Sequence, residues 1–235
     1  SGTQIAEDLH EAGRRVYLCV SGTGRGPRRY RGKDIFTWLK AIGFFDRTPD
    51  MLPSPRARFG GNPQISNKKD GKPINLHRFA REGIQLLGHI TGGVDQRIAL
   101  APDLHENLAR ADQFEAELIG KIDAYIASQG IDAPAESLPD WRDGYAVEQV
   151  SELDLAASGI STILWANGYA FDFSLVNCPV TDEFGYPVQQ RGVTRYPGLY
   201  FIGLPWLNKF QSGLIAGVGE DAIYIASHIA SGARV

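Results

Sequence analysis

The chain has 235 residues, 43% hydrophobic and 22% charged, with a formal net charge of −3. This is a globular balance, large enough for one big domain or two smaller ones, with no basic excess to point to nucleic acid. No apolar run approaches the roughly 18 residues of a membrane span, and nothing resembles a signal peptide.

Only two cysteines occur, Cys19 and Cys178. No C-x-x-C is present, which excludes a dithiol redox centre, and the five histidines show no metal-ligand spacing. A reduced thiol and a cytoplasmic location are the expectation.

In chain order, Ser1–Gly13 predicts a helix with Ser1 at the N-cap, Ile5, Leu9 and Ala12 on one face, and Gly13 just past the end. Val16–Val20 is a continuous apolar run, expected as a strand buried on both faces of a parallel sheet. Helix, turn and buried strand make the second half of a βαβ unit, so the chain reads as part of a longer protein whose first strand lies upstream.

Arg25, Arg28, Arg29, Arg31 and Lys33 then crowd into nine residues. In a dinucleotide-binding unit an acid near this strand end would hold the ribose 2′-hydroxyl. Arginines in its place favour a 2′-phosphate, hence NADP. A solvated basic loop, or one contacting acidic groups elsewhere, is the alternative.

Asp34 is expected to cap a short helix carrying Ile35, Phe36, Trp38, Leu39 and Ile42, and residues 46–75 to be mostly loop. Ile84–Ile90 and Arg97–Ala101 predict strands joined by a Gly-Gly turn. Pro102 and Asp103 open the longest helix, whose stripe of Leu104, Leu108, Ala111, Leu118, Ile122 and Tyr125 is broken only at Glu115, ending near Gly130. Residues 131–150 read as a connector. Gly159–Tyr169 predicts a buried strand ending in an Asn-Gly turn, and Thr181–Arg195 a small hairpin or loop.

At the C-terminal end, Leu199–Ile202 predicts a short buried strand stopping at Gly203. Ser212 is expected to N-cap a helix with Leu214, Val218, Ala222, Ile225 and Ile229 on one face. Gly213, Gly217 and Gly219 crowd its first turns. Such a start suits a flat ligand or an anion near the helix N-terminus, and equally suits tight packing with no ligand.

Four segments together resemble the second half of a flavin-containing monooxygenase-like flavoprotein, closest to a bacterial group associated with potassium transport. Ser1-Gly2 is similar to the end of that family's second glycine turn, and Pro27–Ile35 to the loop after the following strand. Trp165-Ala-Asn-Gly-Tyr169 resembles its A-T-G-Y crossing, and Gly198–Ile229 its last FAD-binding strand and helix. Two departures stand out: Asn167 replaces the usual Thr, and Leu204 stands where many flavoproteins carry an Asp.

The resemblance implies a truncated α/β, Rossmann-like fold of the two-dinucleotide-binding-domain type. An NADP-binding domain would occupy residues 1–164 and the C-terminal part of an FAD-binding domain residues 165–235. It implies FAD and NADP as cofactors: hydride from NADPH to FAD, then reaction with O2 and a small-molecule substrate.

By the same resemblance, Ser1, Gly2 and Thr3 face the pyrophosphate of NADP, and Arg28, Arg29 and Arg31 the 2′-phosphate, with Arg25 in reserve. Asn167 and Gly168 lie at the crossing between domains. Gly203, Leu204, Ser212, Gly213 and Leu214 approach the flavin. No residue presents itself as a general acid or base, and no metal ligand is expected.

Three rivals accompany this reading: a flavin reductase that oxygenates nothing, an inactive nucleotide-binding or interaction module, and, most weakly, a dithiol oxidoreductase of the same fold, which lacks its cysteine pair here. Alone, the chain is expected to be inactive, to expose the apolar faces of Leu199–Ile202 and Leu214–Ile229, and to form a homodimer or pair with a complementing N-terminal segment.

Overall fold

Helix α1 (Gly2–Glu11) starts after Ser1 and ends as its sequence predicts. Gly13 takes φ +76°, and its N–H donates to the His10 carbonyl at 2.8 Å while the Arg14 N–H reaches back to Leu9 at 3.0 Å. These two bonds close the last turn, and the left-handed residue between them favours glycine. The molecule is a computed structural model. It describes residues 1–66, 68 and 71–232. Asn67, Lys69 and Asp70 of the expected 46–75 loop, and the last three residues of the expected C-terminal domain, lie outside the described residues.

The architecture is mixed α and β and divides into two compact units. One comprises Ser1–Trp38 and Gly61–Asn167, the other Leu39–Gly60 and Gly168–Val235. Residues 39–60 thus group with the C-terminal part of the chain.

In the first unit, β1 (Tyr17–Cys19) pairs in parallel with β4 (Gln85–Leu87), in the register Leu18 to Leu86. The three β1 residues are only half-buried, so full burial falls on the flanking Val16 and Val20. A hairpin of β2 (Arg29–Tyr30) and β3 (Lys33–Asp34) leads into α2 (Ile35–Ala41), where Asp34 accepts the Phe36 N–H at 2.9 Å. The Trp38 indole donates to the Tyr30 carbonyl at 2.7 Å and locks that hairpin.

Helix α3 (Leu76–Glu82) is capped by the Asn75 side chain, which accepts from the N–H groups of His77 and Arg78. Beyond β4 comes a three-stranded antiparallel sheet of β5 (Ile90–Val94), β6 (Arg97–Leu100) and, much later in the chain, β7 (Glu152–Asp154). The Gly-Gly turn is corrected here. Gly92 and Gly93 lie inside β5, beside a register shift, and the chain reverses at Asp95-Gln96, Asp95 taking φ +53°. Short polar Asp tolerates that conformation better than most residues.

Helix α4 (Leu104–Ser128) buries Leu104, Leu108, Ala111, Leu118 and Ile122. Ala6, Val16, Val20, Ile74, Phe79, Ile84 and Leu86 complete a core with its first turns. The buried strand expected within 159–169 does not form. Residues 161–170 are exposed, Trp165 at 70%, and among the described residues no strand pairs with them. An apolar run becomes a strand only where a neighbouring backbone offers a ladder.

The second unit buries Val180, Tyr186, Trp206, Leu207 and Ile225. Leu199–Ile202 is likewise no strand. Tyr200 makes an isolated bridge to Val193, Phe201 N–H donates to Gly192 at 2.8 Å, and Ile202 is 51% exposed. Helix α5 is Val218–Ala230 with Gly217 at its N-cap, so Ser212 is not the cap expected. Ser212 sits in a tighter turn, Phe210–Gly213, and its hydroxyl accepts the N–H groups of Asn208 and Lys209 at 3.2 and 3.0 Å.

Gly192 is held at φ +84° where a Cβ would overlap the Phe201 carbonyl oxygen. Gly192→Ala is expected to cost about 2 kcal/mol, read as a lower urea midpoint. An unchanged midpoint would mean that this turn relaxes freely.

Candidate functional site

The residues singled out by sequence fall in both units. In the first, Ser1, Gly2 and Thr3 start α1, where the leading N–H groups lack intrahelical acceptors. Gly2 lies against the Trp165–Asn167 stretch, since a Cβ on it would stand 3.0 Å from that of Ala166. At the other end, Arg15 Nη2 donates to the Ser158 carbonyl at 2.5 Å. Residues 158–166 therefore run alongside α1 in the opposite sense and bring Asn167 to its N-terminus. Two segments chosen separately by sequence meet here.

The basic loop is less uniform than its sequence. Arg25 is buried: Nη1 lies 2.6 Å from Asp112, and Nε and Nη2 lie 2.9 and 2.8 Å from Glu115. This pairing explains why Glu115 interrupts the apolar stripe of α4. Arg31, at φ +47°, bonds Asp123 at 2.9 Å and the Pro134 carbonyl at 3.0 Å. Arg28, about one-third exposed, pairs with Asp34 at 2.7 Å. Arg29 is exposed, and its side chain makes no ion pair among the described residues. Arg29 is thus the member with a free guanidinium, whereas Arg28 also donates from Nη1 to the Ser66 carbonyl at 3.5 Å. The contacts to acidic groups foreseen as an alternative are real for Arg25 and Arg31.

Asp112 organises a network that the sequence does not announce. Its carboxylate takes Arg25, the Tyr145 hydroxyl at 2.7 Å and His77 Nε2 at 3.2 Å. The Gly144 N–H donates to His77 Nδ1 at 3.0 Å, which fixes the neutral tautomer with hydrogen on Nε2. Burial pushes the His77 imidazole below its usual value. Burial pushes Asp112 up, but the Tyr145 hydroxyl and Arg25 outweigh it and hold the carboxyl below the usual range. Tyr30, bonded to Asp123, is pushed up to about 12 by burial and then by that carboxylate.

In the second unit, Gly168 and Gly203 adopt φ +80° and +78°. Gly213 faces its own chain: a Cβ there would come within 2.8 Å of the Pro205 nitrogen. Gly217 is pressed in the same way against Gln211. Close approach of backbone to backbone explains both. Leu204 is half-buried, and Leu214 follows the turn that Ser212 caps. Asp221, in the first turns of α5, is 1% exposed, and neither carboxylate oxygen has a hydrogen-bond partner among the described residues. Sequence inspection passed over it as one more acid in a helix.

Cys19 is half-buried with its thiol pushed up by burial, and Cys178 is exposed; both are free. Among the described residues no group of three His, Cys, Asp or Glu could hold a metal ion, and no helix is long and apolar enough to cross a membrane.

No protein-family model matches the chain, and no solved structure matches it. Curated proteins do. The chain is 40% identical over 77 residues to uncharacterized oxidoreductase CzcO of Bacillus subtilis (strain 168), covering 32% of this chain and 22% of that protein. A protein of the same name from Bacillus velezensis (strain DSM 23117 / BGSC 10A6 / LMG 26770 / FZB42) is 38% identical over 80 residues, 34% of this chain and 23% of that one. The chain spans about half the length of the Geobacillus kaustophilus (strain HTA426) relative, uncharacterized oxidoreductase CzcO-like: 43% identity over 231 residues, 97% of this chain and 49% of that protein.

Proposed function

We propose that this chain is part of an FAD- and NADPH-dependent oxidoreductase of the flavin-containing monooxygenase-like type. The observation that carries the reading is the 43% identity, along 97% of the chain, to a protein named as an oxidoreductase. When bound, the flavin would supply the redox chemistry, accepting hydride from NADPH and reacting with O2.

The chain's own residues then bind and orient. The free N–H groups at the start of α1, next to Ala166 and Asn167, suit a pyrophosphate. Arg29, with the partly exposed Arg28 beside it, suits a 2′-phosphate, leaving Arg25 and Arg31 as struts of the loop. The residues also fit a flavin in one respect: buried Asp221 offers an acceptor without a donor, as a polyol hydroxyl would require. Leu204 leaves that role open.

A nucleotide-binding module without flavin chemistry is the second reading, favoured by Gly213 and Gly217 packing against their own chain.

Calorimetric titration of the purified chain with NADP+ and NAD+ tests the nucleotide part. NADP+ is expected to bind more tightly, and Arg29→Ala to weaken NADP+ about tenfold while leaving NAD+ unchanged. Equal affinities for the two nucleotides, or no binding, would sink the NADP reading. Absorbance near ~450 nm retained after gel filtration with FAD separates the flavoprotein from the module, since that band belongs to the cofactor.

A further inference from the structure

Arg47 stands in an aromatic cage within the second unit. Its guanidinium carbon lies 3.8 Å from the Phe44 ring centroid, 5.0 Å from Phe210 and 5.5 Å from Trp206. The rings support one another edge to face, Phe44 to Phe210 at 5.3 Å and Trp206 to Phe210 at 5.1 Å. Arg47 Nε donates to the Phe44 carbonyl at 2.9 Å, and the Phe210 N–H donates to the Arg47 carbonyl at 2.8 Å. Trp206 itself is held at φ +62°, an uncommon conformation for a bulky residue and one that clusters at binding sites.

Among the described residues the caged cation has no counter-charge. Its neighbour Asp46 is taken by Lys209 at 3.1 Å and Gln211 at 3.4 Å, and Lys209 also binds Glu220 at 2.9 Å. Arg47 forms no ion pair among the described residues. Burial holds its guanidinium below the usual value. The surrounding rings recover part of the lost solvation through cation–π contact. Arg47 is half-buried, and among the described residues its Nη1 and Nη2 make no hydrogen bond and are not fully buried, so the planar edge of the fork is reachable. That edge matches a carboxylate bidentately. Phe44 and Phe210 are only half-buried and leave apolar surface beside it.

We propose that Arg47 is a binding site for a carboxylate carried on a small apolar molecule, gripped by Nη1 and Nη2 with the apolar body against Phe44 and Phe210. The site rests on the cage alone and holds whether or not the nucleotide and flavin readings stand.

Sodium benzoate is the probe, titrated into the whole chain at constant ionic strength and followed by proton–nitrogen NMR. The Arg47 Nε–H and the Trp206 indole N–H are expected to shift together and saturate at millimolar benzoate. Acetate should bind several-fold more weakly for want of the ring. Arg47→Lys keeps the charge but not the fork, and should weaken benzoate about tenfold. The wild-type shift map does not depend on that variant folding. Benzoate shifts scattered over the surface, no saturation, or unchanged affinity in Arg47→Lys would each overturn the site. Inorganic phosphate binding more tightly than benzoate would overturn its assignment to carboxylates.

Discussion

Arg78→Leu is expected to destabilise the chain by about 3–5 kcal/mol, because it strands a buried carboxylate. Arg78 on α3 and Glu7 on α1 are both at most 5% exposed and are joined by an ion pair. Arg78 also binds Glu82 at 2.7 Å and the Pro73 carbonyl at 3.0 Å. Without it, Glu7 keeps only Lys68, at 3.4 Å, as a cation among the described residues. Urea unfolding of the variant should show a lower midpoint with an unchanged slope. The double variant Glu7→Leu/Arg78→Leu should regain most of the loss, since an apolar pair of similar volume often replaces a buried ion pair at little cost. A single-variant loss below about 1 kcal/mol would place the pair among surface-like contacts. The result bears on function too: this pair ties down the helix whose N-terminus is proposed to meet the pyrophosphate.

Local signals carried the first unit well. Ser1, Gly13, Asp34 and the stripe of α4 each act within one or two turns, where chain geometry decides alone. Strand formation does not work that way. Val16–Val20 and Gly159–Tyr169 both read as buried strands, but β1 finds β4 as a parallel partner and the second segment finds none among the described residues. The backbone ladder is a property of two segments, and one segment cannot announce it. The same limit hid β7, a three-residue strand that exists through its pairing with β6. At the C-terminal end the glycines shifted the helix start from Ser212 to Val218, as Gly217 packs against Gln211 instead of continuing a turn.

The candidate site was legible as residue types and not as partners. Five basic residues in nine signalled phosphate, but burial had already committed Arg25 to α4. A clue was present in the break at Glu115: an acid on an otherwise apolar stripe asks for a buried cation. Arg47 gave no such clue, because its cage is assembled from Phe44 beside it and from Trp206 and Phe210 far along the chain.

Arg25→Met separates the two roles the basic loop could play. Removing Arg25 leaves Asp112 and Glu115, both less than one-fifth exposed, without their shared cation. A loss of about 3–5 kcal/mol at neutral pH is expected. Its pH dependence follows from linkage. In the wild type Asp112 is held below the usual carboxyl value of 3.8, so its contribution is full above that value and disappears as pH falls through the depressed one. The variant lacks the Arg25 charge that helps depress it. The stability gap between the two proteins should therefore be at its full width from neutrality down to about pH 4 and narrow only as pH falls below 3.8, through the depressed value. His77 acts in the same direction in both proteins: kept neutral by burial, it makes the folded state lose ground as pH drops below 6.5. NADP+ affinity of the folded variant should stay within about twofold of wild type, because the buried strut is not the ligand. A gap independent of pH would remove Asp112 as the hub of this network. A tenfold loss of NADP+ affinity with full stability would instead return Arg25 to the phosphate site.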